Sequence, residues 1–86
     1  MNRIERIKKI LLEDLKPFYL ILNDDSKKHS GHKNFDGSGM THIKLEIGSI
    51  YFNNMKSIDI HRKINLLLKD EYKTGLHALE IKIIKL

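Results

Sequence analysis

Five histidines in an 86-residue chain are the side chains best suited to chemistry at neutral pH, because imidazole titrates near about pH 6.5 and ligates metals through a neutral ring nitrogen. His29 and His32 fall in the run His29-Ser30-Gly31-His32, too few ligands for a complete structural zinc site; each reads either as a ligand or as a solvated loop side chain. His42, His61 and His77 are scattered further along. There is no cysteine, which removes disulfides, thiolate zinc sites, cysteine nucleophiles and self-held iron-sulfur clusters together. Any metal must therefore be held by histidine or carboxylate, or shared with a partner. Enzyme signatures fail in turn. Ser38, in Gly37-Ser38-Gly39, lacks the strand-to-helix elbow and the acid and histidine order that activates a serine. The same residues lack the Lys-Ser/Thr end of a phosphate loop. The pairs Asp24-Asp25 and Asp70-Glu71 read as turn chemistry and solvation rather than as a general acid and base.

The elements that must position these residues are legible in the hydropathy pattern. Asn2 and Glu5 form a capping-box signature ahead of Ile4, Ile7, Leu11 and Leu15 at helical spacing, which predicts an amphipathic helix over 3–15 ended by Pro17. Phe18 to Leu22 is a short apolar run closed by Asn23-Asp24-Asp25, a first strand. Ser26 to Met40 has no periodicity and reads as a long loop, a length that is uncommon in a compact domain unless functional or disordered. Strict alternation over His42 to Ile47 predicts a strand burying Ile43, Leu45 and Ile47. A helical turn is expected near Tyr51 to Met55, and Ser57 is placed to cap a helix running to about Asp70. Its stripe is Ile60, Ile64, Leu67 and Leu68, with His61 at the edge and Arg62, Lys69 and Lys73 opposite. His42 and His61 read as packed structural histidines. Gly75 stops the segment, and Leu79, Ile81 and Ile83 alternate in a last strand. His77 shares the parity of Leu79, so it emerges at the strand's beginning, on the buried side or its rim. It faces the long loop if the two outer strands are neighbours.

A chain of this length makes one domain, residues 1–86. Sixteen Lys and Arg against eleven Asp and Glu give a net charge of +5, compatible with a solvated surface, an acidic partner or nucleic acid. The longest wholly apolar run, Phe18 to Leu22, is far short of the roughly 20 residues of a membrane span. The expectation is a soluble, cytoplasmic protein without a membrane role.

With those elements in place, Thr41-His42-Ile43-Lys44 opening a strand, Phe52, Ser57, His61-Arg62 nine and ten residues after that Phe, and Gly75-Leu76-His77-Ala78-Leu79 opening the last strand resemble the BolA family. The resemblance covers nearly the whole chain. It departs where the usual Phe-x-Gly turn reads Phe52-Asn53-Asn54, and where Ile60 replaces an Arg before His61-Arg62. It implies an α+β (α/β) domain with a three-stranded sheet and helices on one face, similar to the class II K-homology topology. It further implies a non-enzymatic partner of monothiol CGFS glutaredoxins, sharing a 2Fe-2S cluster held also by the glutaredoxin cysteine and glutathione. In that reading His77 matches the histidine opening the last strand, and His29, or else His32, matches the loop ligand. Imidazole in place of thiolate leaves such a centre less negative and easier to reduce. Some BolA-like proteins are described as DNA-binding transcription regulators. No Gly-x-x-Gly clamp is present, but Arg62, Lys69 and Lys73 with Lys27, Lys28 and Lys33 offer a basic surface for phosphates. A protein-interaction module without a metal role, and a homodimer of the apo chain, stay open at this stage.

Overall fold

The protein is described by a computed structural model over residues 1–26 and 40–85. Helix α1, Arg3–Leu15, begins on the expected capping box: the Asn2 side chain accepts from the Glu5 backbone N–H, and Glu5 Oε1 accepts in return from the Asn2 N–H. It ends where Lys16, pushed out of the right-handed region by Pro17, turns left-handed at φ 42°. Strand β1, Tyr19–Asp24, starts one residue later and ends two residues later than the apolar run suggests. Asn23 and Asp24 pair with Lys44 and Ile43, so the register with the neighbouring strand carries pairing past the residues that read as a turn.

Strand β2, His42–Gly48, is central. It runs antiparallel to β1 and parallel to β3, Ala78–Ile84, in the order β1-β2-β3. A parallel pair needs a long crossover. It is supplied by a 3₁₀ turn at Ile50–Phe52, helix α2 at Ser57–Leu67 and helix α3 at Lys69–Lys73. Ser57 is the first helical residue rather than the cap. Lys56 is extended at that position, and its carbonyl, not a side chain, receives the Asp59 and Ile60 N–H groups. The helix predicted to run through Asp70 is broken at Leu68, whose φ of −100° separates two shorter helices.

Ile43, Leu45 and Ile47 of β2 are buried with Ile7, Leu11 and Leu15 of α1 and Ile60 and Ile64 of α2, while Leu79, Ile81 and Ile83 of β3 pack against this cluster. Each such fully buried aliphatic side chain contributes on the order of 1.5–3 kcal/mol. Lys44, Glu80 and Lys82 lie exposed on the other face of the sheet. Ser49 secures the end of α1: its hydroxyl donates to the Leu15 carbonyl at 2.7 Å and accepts from the Tyr51 N–H at 3.2 Å. No helix among the described residues is long and apolar enough to cross a membrane.

Candidate functional site

The parallel pairing of β2 and β3 brings the starts of both strands to one end of the sheet, and each start carries a histidine. His42 opens β2 opposite Ala78, and His77 immediately precedes β3. Their ring centroids are 5.2 Å apart with a 44° tilt. The Thr41 carbonyl accepts from both the His77 N–H at 2.7 Å and the Ala78 N–H at 3.0 Å, which fixes the two chain starts to one another.

Of the two places that strand parity left open for His77, the buried side and its rim, the buried side is ruled out, since the side chain is exposed. Leu76 is the residue driven into the core, at 3% exposure, and regular alternation resumes only within β3, so the turn at Gly75 rotates His77 outward. The outer strands β1 and β3 are not neighbours, since β2 separates them. His77 nevertheless stands beside Ser26 and Met40, the described residues on either side of 27–39, and the expected long loop lies outside the described residues. The buried Ser26 hydroxyl accepts from the Thr41 N–H at 2.8 Å and the His42 N–H at 3.2 Å, and the Asp24 carboxylate accepts from the Ser26 and Met40 N–H groups at 2.9 and 3.2 Å. The reading of Asp24 as turn chemistry is met by these bonds.

His42 is the residue that sequence reasoning set aside as structural. It is half-buried, with Nδ1 3.0 Å from Thr41 Oγ1, and beside it lie Asp25, Lys44 and Glu80. Lys44 spans the two acids at 3.9 and 3.8 Å. His29, His32, Lys27, Lys28 and Lys33 lie outside the described residues. His61 is half-buried at the edge of the α2 stripe, as its position predicts. Arg62, Lys69 and Lys73 are exposed on α2 and α3, with Arg62 facing Asp59 at 3.9 Å.

Glu71 departs from the solvation assigned to it. It is only 5% exposed on α3. Its Oε1 accepts from Arg3 Nε at 3.0 Å and Arg6 Nη2 at 2.9 Å, and its Oε2 from Arg6 Nε at 2.9 Å. The hydrogen bonds from Arg6, opposed by burial and reinforced by the one from Arg3, hold its carboxyl below the usual carboxylate range.

Chemically, the exposed end of the sheet offers imidazole donors and no thiolate. Among the described residues no three His, Cys, Asp or Glu side chains gather into a metal site. At this end of the sheet the His77 side chain is exposed and the His42 side chain half-buried.

The family model described as BolA-like protein matches residues 11–85. UV-induced protein uvi31 of Schizosaccharomyces pombe is 45% identical, over 94% of this chain and 82% of that protein. The solved structure of BolA1 from Arabidopsis thaliana superposes with a TM-score of 0.86 at 34% identity, covering 99% of this chain and 93% of that one. The BolA domain of SufE1 from the same plant gives 0.85 at 37% identity, covering 99% and 94%. With the model spanning most of the chain and the fold matching throughout, the chain belongs to the BolA-like family.

Proposed function

We propose that this chain is a non-enzymatic adaptor that binds a monothiol glutaredoxin and completes the coordination of a 2Fe-2S cluster shared with it and with glutathione, in iron-sulfur trafficking or in iron and redox regulation. The observation that carries the reading is His77: its backbone is tied to Thr41, its side chain is exposed, and it stands at the sheet end where Ser26 bonds to Thr41. His29, three residues after Ser26 in the sequence, is the second ligand in this reading. His32 is the alternative loop ligand. A cluster bound in this way supplies one-electron chemistry and a visible charge-transfer spectrum. The chain's own part is to present an imidazole from a fixed strand start.

Co-expression with a monothiol glutaredoxin, followed by absorption and circular dichroism of the purified heterodimer, tests the proposal. His77→Ala is expected to abolish or reshape the visible spectrum with the apo fold intact, and His29→Ala to change cluster stability more mildly. An unchanged spectrum in the double variant would sink the shared-cluster reading.

A further inference from the structure

Arg3 lies where three segments converge, and its side chain is 11% exposed. Nε donates to Glu71 at 3.0 Å, Nη1 to the Met40 carbonyl at 3.2 Å and Nη2 to the Thr74 carbonyl at 2.6 Å. Met40 is two residues before His42, and Thr74 is three before His77. One guanidinium thus holds both backbone segments that lead into the imidazole pair. The Met40 segment in particular needs holding, since its φ of 59° is a left-handed conformation that a residue with a side chain seldom keeps by local preference, whereas Gly75 takes its φ of 121° freely. Arg6 grips both oxygens of the same Glu71 carboxylate with a two-pronged contact of its own, separate from the bonds Arg3 makes to Met40 and Thr74. Only a planar head with several divergent N–H groups meets three acceptors at once; an ammonium on a flexible stem does not reproduce that geometry. Arg3 and Arg6 also precede residues 11–85, the span matched by the family model.

We infer that Arg3 is a positioning residue for the histidine site: by bridging Met40 and Thr74 it sets the spacing of the His42 and His77 rings, and so the imidazole face offered to a metal-bearing partner. The use of that face rests on the proposed function, while the spacing itself does not.

The full apo chain is therefore tested first, by NMR, through the cross-peak between the His42 and His77 ring protons. Arg3→Lys keeps a cation beside Glu71 but loses the three-way contact, and Arg6→Ala weakens the Glu71 bridge while leaving Met40 and Thr74 in place. Loss of the cross-peak in Arg3→Lys with its retention in Arg6→Ala is the expected result. Retention in Arg3→Lys, or equal loss in both variants, overturns the inference, since the pair would then be indifferent to Arg3 or would follow general stability alone. Arg3→Ala adds a stronger perturbation; should it fail to fold, Arg3→Lys decides. In the heterodimer with a monothiol glutaredoxin, Arg3→Lys should alter the visible circular dichroism. A wild-type complex that carries no cluster refutes the proposed function but leaves the NMR result standing.

Discussion

Replacing Glu71 by Gln removes one charge from a nearly buried bridge and turns an acceptor oxygen into a donor that faces guanidinium N–H groups. The cost can be worked from the two sides of the bridge. Arg3 is 11% exposed, so its charge-assisted bond carries the full magnitude of about 1.5–3 kcal/mol for a hydrogen bond to a charged group. Arg6 is 40% exposed, and solvent screening leaves such a contact little to add. A loss of about 2 kcal/mol at pH 7 follows, or roughly 8–16 °C in melting temperature for a domain this small. The sign of the pH dependence is fixed by the direction of the shift. The folded-state carboxyl is held low, so its contribution is complete above the unfolded value of about 4.3 and is lost as pH falls through the lower folded value. Urea titrations of wild type and Glu71→Gln, followed by far-ultraviolet circular dichroism at neutral and acid pH, measure the gap. It should be largest at pH 7 and close in acid. A neutral-pH gap below about 0.5 kcal/mol, the range of an ordinary surface substitution, would refute the argument. So would a gap that persists undiminished in acid.

Leu45→Ala should cost about 2–5 kcal/mol in urea titration, because Leu45 is fully buried on the central strand and its neighbours cannot close the space without moving the sheet. Gly48→Ala should cost about 1–3 kcal/mol by overpacking: an added Cβ meets the Phe18 ring at 2.7 Å and the Ile84 carbonyl at 2.9 Å. The ring can swing away but the carbonyl cannot, so Phe18→Leu should rescue only part of the lost melting temperature. Binding of the chain alone to duplex DNA should be weak and fall steeply with salt; nanomolar, sequence-dependent binding at physiological salt, abolished by charge reversal at Arg62, Lys69 and Lys73, would instead favour a DNA-binding regulator.

What could be read in the sequence, and what could not, divides by the range of the interaction. The bounds of α1 are written within a few residues of each end, in the Asn2–Glu5 box and the Lys16-Pro17 step, and the inward face of β2 in the alternation of Ile43, Leu45 and Ile47. The break at Leu68 was hidden because Ile60, Ile64 and Leu68 continue one apolar stripe across it. Glu71 falls inside that same stripe at about 100° per residue, and this was a usable signal. A carboxylate on an apolar face must find a cation, and Arg3 and Arg6, one turn apart on α1, are a matched pair for it. The meeting of His42 and His77 is of another kind. It depends on β2 lying between β1 and β3 and on parallel pairing with β3, neither of which any spacing over the intervening 34 residues expresses. Parity alone left His77 on the buried side or its rim, and the turn at Gly75 decides between them by putting Leu76 into the core and the histidine toward solvent. That outward turn leaves the histidine outside the core, on a strand start whose position the core fixes.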